Sequence, residues 1–309
     1  MTEETNGFTR RRLVAGAGAA GVGIGLGGAG YLIGRETAEG SSHLDETVPF
    51  HGNRQAGIET PAQDRLHFAA FDLTVERAAE LRDLLREWSD AAAKMTQGEM
   101  VGDDNNQLLA PPDDTGETVG LRPASLTVTF GLGPDVFERD GHDRFGLRSR
   151  RPHALRQIDP LPADLLDPEH SGGDLCVQAC SNDPQVAFHA VRNLARLGRG
   201  SVVMRWSQLG FGRTSSTTRS QATPRNLMGF RDGTRNLRAE DTEAMRRFVW
   251  LGEGDDVPWM ADGTYIVTRR IRMLIEIWDR SALLDQENTI GRQKYDGAPL
   301  GGGEEFQTP

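Results

Sequence analysis

Cysteine is nearly absent: the 309 residues include two, Cys176 and Cys180. A disulfide framework therefore cannot hold this fold together. A cysteine-ligated zinc site is excluded as well, because no further cysteine completes the set and C-x3-C is not the C-x2-C of zinc ribbons. On a strand the two side chains would share a face but stand roughly 13 Å apart, beyond disulfide reach. They are expected as free thiols on the core face. Positive charge is also scarce. Lys and Arg number 35 against 45 Asp and Glu, a formal net charge of −10. No basic stripe follows the first dozen residues, so no nucleic-acid partner is expected. None of the seven histidines is paired as H-x3-H or H-E-x-x-H, which argues against a dedicated metal-ligating helix. Serine-hydrolase elbows, P-loops and dinucleotide fingerprints are missing too.

What is present begins at the amino terminus. Arg10, Arg11 and Arg12 stand directly before an uncharged stretch from Leu13 to Gly34, rich in Gly and Ala. A basic flank ahead of a weakly apolar run is the layout of an export signal, and adjacent arginines point to the twin-arginine route. The glycines argue against a stable membrane-spanning helix there. Residues 1–40 are therefore expected as an export signal, which places the protein in the periplasm, the cell envelope or outside the cell. Residues 41–65 follow as linker and lead-in.

From there, hydrophobic periodicity sets the expectation. LHFAAFDLT (66–74) reads as a strand, and VERAAELRDLLREWSDAAAKM as an amphipathic helix with Leu81, Leu84, Leu85, Trp88, Ala92 and Met95 on one face. A polar loop covers 97–124, and ASLTVTFGLG (124–133) alternates as a half-buried strand should. GDLCVQACS, DPQVAFHAVRNLARL and GSVVMRWSQLGF then repeat strand, helix, strand, with His189 inside the helix. Two such repeats predict an α+β protein of two ferredoxin-like halves, antiparallel sheets with helices packed on them, at 66–165 and 166–309. GTYIVTRRIRMLIEIWD (263–279) is expected as a further strand of the second half. That half lacks a last helix and closing strand.

The segment PRNLMGFRDGTRN (224–236) raises the question of chemistry. Asp-Gly alone is a turn dipeptide, since Asp bonds nearby backbone and Gly accepts positive φ. Its surroundings change the reading. QATPRNLMGFRDGTRN resembles the G-x-x-D-G motif of dye-decolorizing (DyP-type) haem peroxidases, with Gly229, Asp232 and Gly233 on the matching positions. VPFHGNRQAGIETPAQDRLHFAAFDLT, SGGDLCVQACSNDPQVAFHAVRNLARL, MRWSQLGFGRTSS, GTYIVTRRIRMLIEIWDR and ENTIGRQKYDGAPLGG are similar to further blocks of that family, in order. The likeness covers roughly residues 48–304 and is strongest to exported deferrochelatase/peroxidases of bacterial iron uptake.

The resemblance implies two ferredoxin-like halves, a haem b cofactor, and Asp232 as the distal acid that moves a proton between the oxygens of hydrogen peroxide. It implies that Gly229, Gly233, Thr234 and Arg235 lie against the haem, the glycines by allowing close backbone approach and Arg235 by meeting a propionate. It further implies a phenol, dye or haem as reductant or substrate, contact with iron-uptake components of the membrane, and a homo-oligomer as one arrangement. The family's proximal histidine lies well downstream of G-x-x-D-G, but no histidine follows His189 here. The expectation is a carboxyl-terminally shortened member with no metal ligand of its own, binding haem weakly. A non-catalytic exported carrier of haem or iron is the alternative. Trp206, Trp250, Trp259, Trp278 and Tyr265 are read as core or interface residues that could also relay electrons.

Overall fold

A computed structural model describes residues 44–102, 108–212 and 222–307; the expected export signal lies outside them. Strand β1 (Arg65–Leu73) leads into helix α1 (Ala78–Thr96), followed by β2 (Thr127–Leu132), β3 (Leu175–Ser181), α2 (Pro184–Leu197) and β4 (Val202–Phe211). The four strands form one antiparallel sheet in the order β2-β3-β1-β4. That is a complete ferredoxin-like unit. The α+β class and the ferredoxin-like arrangement agree with expectation, but the division at 165/166 does not. β1 pairs with β3 from Arg65↔Ser181 to Phe71↔Leu175, and with β4 on its other edge. The two β-α-β repeats are thus interleaved halves of a single sheet. A β-α-β unit of this kind leaves a gap beside its first strand, and the second repeat supplies the strand that fills it.

The helices cover one face. In α1, Leu81, Leu84, Trp88, Ala91, Ala92 and Met95 are buried at helical spacing. In α2 the chain enters through Asp183, whose carboxylate accepts from the amides of Gln185 and Val186, with Pro184 at the first helical position. Val186, Ala190, Val191 and Leu194 pack inward. Trp88 is fully buried, meets Phe71 edge-on at 5.3 Å, and donates from Nε1 to Leu194 O at 2.8 Å. One side chain thereby joins α1, α2 and the sheet.

Strand β3 alternates, with Leu175, Val177, Ala179 and Ser181 buried toward the helices. Cys176 and Cys180 therefore point to the opposite face, a correction to their expected place on the core face. Both are free and half-buried, and burial pushes each thiol up to about 11. The lead-in segment crosses that face. Thr129 Oγ1 donates to Ala56 O at 2.7 Å, Gln178 Nε2 to Gly57 O at 3.1 Å, and Gln63 Nε2 to Thr127 Oγ1 at 3.0 Å. Gly57 is tied to glycine twice over: its φ is +93°, and a Cβ would stand 2.3 Å from Thr129 Oγ1.

Residues 222–307 contain three short helices, α3 (Thr242–Phe248), α4 (Ile275–Arg280) and α5 (Leu283–Ile290). The strand expected at 263–279 is not formed. Residues 264–274 have no ladder partner among the described residues, and the chain closes into α4 from Ile275. Alternation alone cannot hold a strand whose backbone has nothing to pair with. This region meets the rest through side chains. Trp250 Nε1 donates to Glu59 Oε2 at 2.9 Å beneath Arg54, and Trp259 Nε1 donates to Arg150 O while stacking on Phe137. Arg269 pairs with Asp164 at 2.6 Å. Among the described residues no helix is long and apolar enough to cross a membrane.

Candidate functional site

The segment 223–236 is a small pinned hairpin. Arg225 and Arg231 form an isolated antiparallel bridge. Between them, Asn226 turns the chain: its Oδ1 accepts from the amides of Met228 (3.0 Å) and Phe230 (3.3 Å), and its backbone exchanges bonds with Gly229 and Phe230. Gly229 sits at φ +83° and Gly233 at φ +89°, conformations that other residues adopt only with strain. Asp232 lies between them on the returning arm, its amide donating to Pro224 O at 2.9 Å, and its side chain is exposed.

Support comes from residues far along the chain. Phe230 is buried and meets Trp278 edge-on at 5.8 Å, while Trp278 Nε1 donates to Met228 O at 3.1 Å. Lys294 Nζ lies over the Phe230 ring at 5.5 Å and donates to Gln286 Oε1 at 2.7 Å. The Arg225 guanidinium donates to Gly229 O (2.8 Å), Lys294 O (2.6 Å) and Tyr295 O. Glu305 holds both sides of Asp232: Oε1 accepts from Thr234 Oγ1 at 3.3 Å, and Oε2 lies 3.3 Å from Arg231 Nε. The latter is an ion pair whose angle leaves that buried N–H without an aligned hydrogen bond. Arg225, Arg231, Lys294 and Glu305 were not singled out from sequence. They lie up to about 70 positions from their partners, and no local pattern marks them.

Of the expected site residues, Gly229, Asp232, Gly233 and Thr234 are therefore brought into one rigid turn, with Arg235 exposed beside them. They do not by themselves form a haem pocket. A Cβ on Gly229 would meet Lys294 Cε at 3.0 Å, and one on Gly233 would meet Asn236 Nδ2 at 3.2 Å, so the space beside each glycine is occupied by the protein's own side chains. Two cavities, one of about 10 Å³ beside His189 and one of about 310 Å³ along α1, include no residue of 222–307. No histidine is available in 222–307 as an axial donor. What the turn offers is one exposed carboxylate on a pinned stretch of backbone.

Comparison with known proteins adds to this geometry. The sequence model described as Dyp-type peroxidase, N-terminal, matches residues 55–212, and that described as Dyp-type peroxidase, C-terminal, matches residues 223–308. The first range takes in the later part of the lead-in segment and the complete sheet unit. Deferrochelatase of Escherichia coli K12 is 34% identical over 268 residues, covering 86% of this chain and 62% of that protein. The chain thus spans about three fifths of the length of this curated relative. Ferric DtpA from Streptomyces lividans is 41% identical with a TM-score of 0.74, covering 87% of this chain and 69% of that one. A DyP-type peroxidase from Streptomyces coelicolor is 41% identical with a TM-score of 0.75 over the same shares. A DyP-type peroxidase from Cellulomonas bogoriensis is 35% identical with a TM-score of 0.72, covering 86% and 69%.

Proposed function

The chain belongs to the Dyp-type peroxidase family, and from that premise we propose that it serves a haem-dependent peroxidase that uses hydrogen peroxide to oxidise phenols or dyes. The observation that carries this reading is the G-x-x-D-G turn itself, which lies inside the family match and presents Asp232 exposed on a pinned backbone. Haem, expected as haem b, supplies the redox chemistry when bound. The residues of this chain supply the acid. Asp232 is assigned to proton transfer between the two oxygens of peroxide, a role that needs a carboxylate reachable by substrate and unable to swing away. Gly229 and Gly233 set the path of the turn, Thr234 is tied to Glu305, and Arg235 is assigned, on the resemblance, to a haem propionate.

The name of the Escherichia coli relative favours a second reaction at the same place, release of iron from haem with the porphyrin left intact. Export by the twin-arginine route, a periplasmic or extracellular site of action, contact with iron-uptake components and assembly into a homo-oligomer belong to the same reading. They rest on the residue 10–34 pattern and on the resemblance.

The test is peroxide-dependent dye oxidation by hemin-loaded protein extended to the full length of its relatives with an axial donor restored, with Asp232→Asn as the variant. Activity should fall by a factor of about 10² or more, the range of general acid-base catalysis, with the Soret band unchanged. Equal activity in the variant would remove Asp232 from the chemistry. Product analysis separates the two reactions: metal-free porphyrin marks iron release, and coupled oxidised dye marks peroxidation.

A further inference from the structure

A cluster remote from the G-x-x-D-G turn has the donors of a metal site. His189, 2% exposed on α2, faces Asp114 and Glu117 of the preceding long loop. One donor atom from each of the three lies within 4.8 Å of the others. Asp114 Oδ1 stands 2.8 Å from His189 Nε2.

An ordinary histidine–carboxylate hydrogen bond does not account for this geometry. Asn193 Nδ2 is also 2.8 Å from the same Nε2. The amide cannot simply be turned over, because Asn193 Oδ1 is held by two donors, the Thr115 amide at 3.3 Å and Arg196 Nε at 3.4 Å. A protonated Nε2 serves Asp114 but confronts an N–H; a bare Nε2 serves Asn193 but sets its lone pair against a carboxylate. A cation that takes the Nε2 lone pair together with Oδ1 removes the clash with the carboxylate, and it does so in place of the Asn193 contact to the same atom. The two atoms have the spacing for it, since neighbouring ligands of an octahedral ion at about 2.1 Å are about 3 Å apart.

We propose that Asp114, Glu117 and His189 bind a divalent transition-metal ion that staples the 108–124 loop to α2. The mixed carboxylate and imidazole set suits Mn²⁺, Fe²⁺ or Zn²⁺. The carboxylates are already oriented. Asp114 accepts from the Val101 amide at 2.9 Å and the Gly116 amide at 2.7 Å, and Glu117 from Arg192 and the Thr115 hydroxyl, leaving each with lone pairs to spare. The site does not depend on the haem reading.

The experiment uses the full chain, stripped with chelator and desalted, then titrated with Mn²⁺ by electron paramagnetic resonance and with Zn²⁺ by calorimetry. One ion per chain is expected, together with a rise in Tm. His189→Gln and Asp114→Asn should each weaken binding by at least about tenfold. If either fails to fold by circular dichroism, Glu117→Gln, at the more exposed position, decides with the same readout. Absence of uptake by the folded wild-type chain overturns the proposal, and so does one-to-one binding that the folded variants leave unchanged.

Discussion

The sheet unit and the segment carrying Asp232 are stabilised by different physics. In 65–211 the side chains that matter are apolar and buried, and the polar ladder is backbone to backbone. In 222–307 the connections run from side chain to backbone, through Arg225, Arg292, Trp278 and Gln286. Large apolar residues there stay in water, among them Val267 (67% exposed) and Ile271 (70%). A hydrophobic core tolerates little change but places its surface groups loosely. A network of charged and amide contacts buries less, yet ties a turn down at several points. The candidate site uses the second kind.

Trp88→Ala is the change that should separate the two regions most widely. It empties a fully buried site shared by both helices and the sheet, and deletes the bond to Leu194 O. A cost of about 3–5 kcal/mol is expected, seen as a fall in the chemical-denaturation midpoint. Hydrogen exchange should quicken throughout β1, β3 and α2. If exchange accelerates only around 224–236 and the sheet is spared, the division between the regions is drawn in the wrong place.

The same division decides what the sequence could reveal. Every strand and helix of the sheet unit was legible, because burial imposes periods of 2 and 3.6 on residues such as Leu175, Val177 and Ala179, or Leu81, Leu84 and Trp88. Their assembly was not legible. Periodicity reports which face of a strand is covered but not which strand lies beside it, so two interleaved β-α-β repeats read as two halves. At 263–279 the alternating pattern predicted a strand that the backbone has no neighbour to form. At the site, Asp232 and both glycines were marked by the resemblance to the G-x-x-D-G motif, which fits inside one turn. Glu305 and Arg225 were not, since a clamp reaching across about 70 residues leaves no trace at either end.

Arg225→Met tests whether polar clamps, and not burial, fix the G-x-x-D-G turn. The variant keeps an unbranched side chain but deletes donors to three carbonyls. Arg225 is an exposed residue, so the global cost should be small, about 1 kcal/mol. Amide exchange at Gly229 and Asp232 should rise well beyond that, and Trp278 fluorescence should shift as Phe230 loosens. Unchanged exchange in the turn would hand the positioning role to the Phe230–Trp278 contact.

The smallest expected effect belongs to the sheet unit and turns on protons. His67 on β1 is 5% exposed, stacked on Phe188 of α2 at 5.7 Å, with Nδ1 buried and lacking a hydrogen-bond partner. Burial lowers its pKa, so the folded state holds the ring neutral where the unfolded chain begins to protonate it. The sign follows from proton counts. Below the unfolded value of about 6.5 the unfolded state binds more protons, so stability drops as pH falls through that value toward the lower folded one. Above about 6.5 both states are neutral at this position and the contribution is flat. His67→Phe preserves the stack and removes the titration. Denaturation midpoints measured from pH 7.5 down to 5 should decline less steeply in the variant than in the parent. Parallel slopes would mean that the ring finds a partner when charged, and that acid sensitivity enters through the carboxylates.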